Sequence, residues 1–379
     1  MKTLSAEELI ARAQTTTGLV AFDSDSFREG LEILLSDYND NGASANERVQ
    51  GSLLLALCNR LKVGEYLKRN PGLLDRPIER PVFVFGVPRT GTTLLSNLLA
   101  TDPARRSPLT WEIDDPVPPA TSATLTSDPR AIARLALERK MLEAKPEMGK
   151  YYRSSAIYPN EDVYIMAHDF KTLMWESRGK CPNYRNWLLS TDMHSAYEYH
   201  KRYLQVLQHH ALGTWNLKMP SHALFLETLI KTYPDARLVW THRDPLTATG
   251  SFCGIISQGH GSVGPVDTDY IGRNCLYQAT EHANRIMGFR DKYGEDRIID
   301  VHYADLMSDP IAAMRKLYAE LGDDFSEDAE RGMHAWLRDN PQNKFGKHEY
   351  KLAQYGLQQQ EVREGFERYL DRYHPAPEG

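Results

Sequence analysis

Val82-Phe83-Val84-Phe85-Gly86-Val87-Pro88-Arg89-Thr90-Gly91-Thr92-Thr93-Leu94-Leu95 reads as a strand, a tight basic loop and the start of a helix. Val82 to Phe85 is a short apolar run of β-branched and aromatic residues, the pattern of a strand buried on both faces. Gly91 permits a sharp backbone turn, and Thr90, Thr92 and Thr93 are expected to cap the following helix. Leu94, Leu95, Leu98 and Leu99 then recur at helical spacing. A helix N-terminus presents unpaired N–H groups and the positive end of a dipole, which suits a phosphate. Arg89 adds a permanent cation with a planar fork of donors.

Gly86 and Gly91 carry the GxxxxG spacing of a nucleotide-binding loop, but Thr92-Thr93 stands where a nucleotide triphosphatase has lysine and a hydroxyl residue. The form Pro88-Arg89-Thr90-Gly91-Thr92-Thr93 resembles the 5′-phosphosulfate loop of sulfotransferases that use 3′-phosphoadenosine 5′-phosphosulfate (PAPS).

Outward from this loop the chain alternates strands and helices. Trp215 to Lys218 is a strand ending at a polar corner, Met219-Pro220-Ser221-His222. Arg237 to His242 is the next, ending at Arg243-Asp244-Pro245, and Arg297 to Tyr303 is a third. This alternation predicts a mainly parallel central sheet flanked by helices, with ligands at the carboxyl ends of the strands. Residues 1–75 read as an N-terminal helical subdomain that carries no chemical cluster; its expected role is packing, oligomerisation or one wall of a pocket. Residues 76–379 read as the α/β domain, with a helical, aromatic-rich insertion at about 128–212. The rings from Tyr151 to Tyr203 suit a packed core or an apolar acceptor wall. Leu109 to Pro116, acidic and proline-rich, reads as a loop. Pro159-Asn160-Glu161-Asp162 reads as a helix start, with Asn160 or Asp162 as its cap.

The 379 residues carry 41% hydrophobic and 25% charged side chains, as a globular protein does. A net charge of −6 argues against general nucleic-acid binding. The four cysteines, Cys58, Cys181, Cys253 and Cys275, form no CxxC pair and fit reduced thiols of a cytoplasmic protein. No apolar run approaches the ~20 residues of a membrane span, and no carboxylate–histidine cluster calls for a metal.

Over residues 81 to 350 the chain is similar to the sulfotransferases of P-loop-like α/β fold, closest to their bacterial and tyrosylprotein branches. Several residues carry roles over by this resemblance. Arg243 and Ser251, eight residues apart, match the pair that holds the nucleotide's 3′-phosphate. Tyr303, in Tyr303-Ala304-Asp305-Leu306, matches the tyrosine beside the adenine. Lys347 and His348 fall in a basic loop that closes over the same phosphate. Arg89, Thr90, Gly91, Thr92 and Thr93 hold the 5′-phosphate, and Lys218 stabilises the bridging or sulfuryl oxygen. The phenol branch has lysine, serine and tryptophan where this chain has Arg89, Thr90 and Leu94, so adenine stacking by that tryptophan is unavailable.

The implied reaction transfers a sulfuryl group from PAPS to a hydroxyl of a small-molecule or lipid-like acceptor, without a metal. The expected base is Glu112, 21 residues after Gly91, as in the tyrosylprotein branch. His222, four residues after Lys218, is the competitor, followed by Glu161 or His168. Two other classes fit the same loop: a nucleotide-dependent kinase, weakened by Thr92, and a non-catalytic bisphosphate-nucleotide-binding protein.

Overall fold

A computed structural model describes residues 3–144, 155–341 and 351–378. The expected Lys347 and His348 therefore lie outside the described residues. The chain begins with helices α1 (Ala6–Thr17), α2 (Arg28–Asn41) and α3 (Glu47–Arg69), followed by strand β1 (Val82–Gly86) and helix α4 (Thr92–Leu99). Strand β2 (Arg105–Arg106) leads to the short helices and turns of the insertion, α5 (Thr110–Asp114), α6 (Pro129–Ala144), α7 (Val163–Met166), α8 (Pro182–Leu188) and α9 (His194–Leu207). Then come β3 (Thr214–Lys218), α10 (Leu226–Thr232), β4 (Arg237–His242), α11 (Pro245–Gly261), α12 (Thr268–Tyr293) and β5 (Ile298–His302). Helices α13 (Tyr303–Ser308), α14 (Pro310–Leu321), α15 (Glu327–Asp339), α16 (Gln359–Gly365) and α17 (Glu367–Tyr373) complete the described chain.

The five strands form one sheet in the order β2-β3-β1-β4-β5, all parallel. The chain runs from β3 to β4 across β1, so the strand order switches there. Such a switch point opens a crevice at the carboxyl ends of the strands. Val84 lies beside Lys218, Gly86 beside Thr241, and His242 beside His302. Four strands thus end on one edge and deliver the Arg89 loop, Lys218, Arg243 and Tyr303 to it.

β1 shows why an unbroken apolar run becomes the central strand. Its side chains alternate: Phe83 and Phe85 enter the large core on one face, while Val82 and Val84 enter a second core with Leu95, Leu98 and Val239 on the other. The large core also takes Leu31, Leu34 and Tyr38 from α2 and Leu53, Leu57 and Leu61 from α3, so the N-terminal helices pack into the α/β unit itself. Buried polar contacts fix the seam. Tyr38 donates to the Trp175 carbonyl (2.5 Å), Asn59 to that of Ile113 (3.0 Å), and Arg60 pairs with Asp169 (2.8 Å).

The aromatic insertion is mostly core. Phe170, Trp175, Tyr184, Tyr197, Tyr199 and Tyr203 are buried. Tyr hydroxyls stay inside because each finds a partner: Tyr184 donates to the Phe170 carbonyl (2.7 Å) and Tyr203 to that of Glu112 (2.9 Å). Residues 109–116 depart from the expected loop. Thr110–Asp114 is a short helix, because Glu112 reaches back to the Leu109 N–H (3.2 Å) and completes its first turn.

Candidate active site

The loop after β1 holds two unusual backbone conformations. Arg89 has φ +76° and Gly91 φ +98°. A Cβ on Gly91 would lie 2.7 Å from the Tyr303 ring, so glycine is required twice over, by conformation and by contact. The left-handed turn at Arg89 costs of order 1–3 kcal/mol. It aims the Arg89 carbonyl at Arg243, whose Nη1 donates to it at 2.8 Å.

The expected threonine cap is absent. Gly91 is the N-cap of α4 and supplies no side-chain capping bond. Thr90 instead donates to the Val87 carbonyl (2.7 Å), and its hydroxyl meets that of Thr241 (2.6 Å). The loop is thus tied back to β1 and β4 while, among the described residues, no side chain caps the helix N-terminus. An oxyanion placed there meets N–H donors and the dipole together.

Residues 154 and 162 positions further along the chain than Arg89 close around it. Arg89 Nε donates to Ser251 Oγ at 3.0 Å. The Arg243 guanidinium stacks over the Tyr303 ring at 4.1 Å and forms a two-pronged pair with Glu378 (2.6 and 2.7 Å). Arg89, Ser251, Arg243 and Tyr303 therefore form one cluster beside the start of α4.

A second cluster sits across β1. Lys218, almost fully buried at the end of β3, donates from Nζ to Glu161 Oε1 at 2.5 Å and to Thr93 Oγ1 at 3.4 Å. Thr93 belongs to the first turn of α4, so Lys218 faces the same helix end as Arg89. The Glu161 side chain is 32% exposed.

The two leading base candidates lie elsewhere. Glu112 is 1% exposed, and its oxygens are taken by Arg106 (2.5 Å) and the Leu109 N–H (3.2 Å). His222 is fully buried, its Nε2 3.0 Å from Asp162 and its Nδ1 2.9 Å from the Tyr197 hydroxyl. Asp162 can only accept, so Nε2 carries the proton and Nδ1 accepts from Tyr197. Burial pushes the His222 imidazole below its ordinary pKa, against the pull of Asp162. His168 is buried against Tyr199 and Arg60, with a pKa of about 3, driven down chiefly by burial. Of the two expected caps, Asn160 and Asp162, Asp162 stands at the N-cap of α7 but makes no side-chain capping bond; its carboxylate turns inward to His222.

Among the described residues no group of histidines, cysteines and carboxylates could hold a metal ion, and no helix is long and apolar enough to cross a membrane.

Two arginines and the start of α4 at the switch point of a parallel sheet, with a lysine–carboxylate pair on the other flank, fit a P-loop-like α/β fold. The chain belongs to the sulfotransferase family, whose model matches residues 81–327. It is similar along nearly its whole length to two crystal structures. One is sulfotransferase STF9 from Mycobacterium avium, at 40% identity and TM-score 0.93, covering 99% of this chain and 98% of that one. The other is STF1 from Mycobacterium tuberculosis H37Rv, at 30% identity and TM-score 0.84, covering 96% and 98%. It is also 25% identical over 312 residues to omega-hydroxy-beta-dihydromenaquinone-9 sulfotransferase Stf3 of Mycobacterium bovis, covering 78% of this chain and 77% of that protein. The expected fold and enzyme class are borne out.

Proposed function

We propose that this sulfotransferase moves a sulfuryl group from PAPS to a hydroxyl of a lipid-like acceptor, with Glu161 as base. The observation that supports this reading is the pair of clusters on either side of α4: cations with a serine and a tyrosine on one flank, a lysine with a carboxylate on the other. Arg89 and the N–H groups of Thr92 and Thr93 take the 5′-phosphate. Arg243 and Ser251 take the 3′-phosphate, and Tyr303 lies beside the base. A planar guanidinium fork and a hydroxyl match the geometry of a phosphate dianion.

The acceptor oxygen attacks sulfur in line, the bond from sulfur to the phosphate oxygen breaks, and the 3′,5′-bisphosphate leaves. Glu161 receives the acceptor proton, and Lys218 stabilises charge growing on the bridging oxygen. Positioning and fixed charge carry most of such a transfer. Glu161 replaces Glu112 as the preferred base because its carboxylate is reachable from solvent and adjoins Lys218, whereas both Glu112 oxygens are committed.

Half-buried Ile157, Tyr158, Pro159, Val163 and Tyr164 flank Glu161. These apolar and aromatic surfaces suit an acceptor with a hydrocarbon body, in keeping with the omega-hydroxy-dihydromenaquinone in the name of the M. bovis relative. Two measurements test the proposal. The 3′,5′-bisphosphate of adenosine should raise the thermal midpoint, and ATP with Mg²⁺ should not. Labelled sulfate from PAPS should appear on long-chain isoprenoid alcohols. Stabilisation by ATP–Mg²⁺ alone would turn the reading toward a kinase.

A further inference from the structure

Directly behind the Lys218–Glu161 pair lies a closed polar cluster that the transfer does not use. Asp162 is fully buried between two histidines. Its Oδ2 accepts from His222 Nε2 at 3.0 Å, and its Oδ1 lies 3.7 Å from His200 Nε2. Each imidazole is backed by a tyrosine: Tyr197 on His222 (2.9 Å) and Tyr233 on His200 (2.7 Å). The Asp162 main-chain N–H donates to the Lys218 carbonyl at 3.0 Å. One residue therefore fastens the 161–162 peptide to β3 through its backbone and to the turn after β3 through its side chain. A carboxylate is costly to bury unless several donors hold it, and a plain packing role needs no such group.

We propose that Asp162 is a positioning residue: held by His222 and Tyr197, it fixes the register in which Glu161 faces Lys218. This rests on the assignment of Glu161 as base. Asp162→Asn should lower kcat at least tenfold while the affinity for adenosine 3′,5′-bisphosphate, measured by calorimetry, stays within twofold. Active sites are counted by that titration, so partial unfolding does not enter the rate. Tyr197→Phe, which removes a single hydroxyl, should lower kcat severalfold with the same affinity, and it decides the matter if Asp162→Asn does not fold. A purely structural role would lower the thermal midpoint and leave kcat per site unchanged, which overturns the proposal. Full turnover in Glu161→Gln overturns the base assignment and the positioning role together. An inactive Glu161→Gln beside fully active Asp162→Asn and Tyr197→Phe overturns the positioning role alone.

A second observation stands apart from this one. After α17 the chain turns at His374 (φ +44°), and Glu378 lays both carboxylate oxygens on the Arg243 fork. Tyr369, on α17, anchors the same region through the Arg243 N–H at 3.3 Å. A two-pronged carboxylate occupies the donors that a phosphate would use. We infer that Glu378 is an internal competitor for the anion at Arg243, displaced whenever the nucleotide binds; this rests on Arg243 being a phosphate ligand. Glu378→Gln should tighten adenosine 3′,5′-bisphosphate severalfold and leave 5′-AMP, which lacks the 3′-phosphate, unchanged. Unchanged or weaker bisphosphate binding in the variant overturns the competition. Failure of both proteins to bind the bisphosphate overturns the role of Arg243 itself.

Discussion

β1 and β3 end side by side, yet the chain treats the polar residues beyond them in opposite ways. Beyond β1, no side chain among the described residues caps the first turn of α4, and Arg89 adopts a left-handed conformation. Beyond β3, His222 is sealed with Asp162, His200 and two tyrosines, and every one of these side chains is buried. Lys218 stands at the border, its stem buried and its ammonium turned to Glu161 and Thr93. Polar groups at the exposed strand edge and polar groups sealed in the fold thus sit within a few residues of one another. What separates them is burial, not residue type.

The largest expected effects test the open side of this contrast. Lys218→Ala should cost about 10²–10³ in kcat, as removal of a group stabilising transition-state charge does. Glu161→Gln should cost about 10²–10⁴ as loss of a general base. Both should retain bisphosphate binding, and near-normal turnover in either, measured in single-turnover transfer, would erase the distinction between the two sides.

The sealed side should respond in stability rather than rate. Glu112→Gln leaves Arg106 buried without its anion, which should cost about 3–5 kcal/mol in urea unfolding. Its kcat per folded molecule should stay within twofold of wild type. The reverse result, normal stability with lost turnover, would return the base role to Glu112.

The smallest effect is a pH trend. Burial drives the pKa of His168 to about 3 and of His282 to about 4, and lowers those of His222, His242 and His260. The unfolded chain takes up these protons below about pH 6.5 and the folded chain does not. Stability is therefore fully present above pH 6.5 and falls as pH drops, by up to about 1.4 kcal/mol per pH unit for each histidine. Burial also raises the carboxyls of Asp114 and Glu176, which opposes the trend. The urea midpoint should still be lower at pH 5 than at pH 7.5; a flat or rising midpoint would mean that these histidines are not sealed.

Much of this was legible in the chain. The apolar run before Gly86 and the strand-end residues Lys218, Arg243 and Tyr303 mark a parallel sheet and the edge where its strands end. Their order brings Arg89, Ser251 and Arg243 together across more than 150 residues. The choice of base was not legible. Glu112 and Glu161 are both acidic residues near a proline, and only the fold reveals that Arg106, six residues before Glu112, takes its carboxylate. His222 follows Lys218 at a spacing that suits a catalytic histidine, yet it faces Asp162 and Tyr197, because a strand-end residue's facing depends on a turn geometry that spacing does not encode. The fold divides the adjacent pair Glu161-Asp162: Glu161 meets Lys218 and Asp162 meets the buried His222.

The contact of Gly91 with Tyr303, and of Tyr303 with Arg243, joins the ends of β1, β4 and β5 into one stack. β5 is one of the two edge strands of the sheet, and strands at an edge lack a pairing partner on one side. Opening of that edge parts Tyr303 from Gly91 and Arg243, so amide exchange in β5 should report on this stack even though β1, which carries the loop, sits at the centre of the sheet.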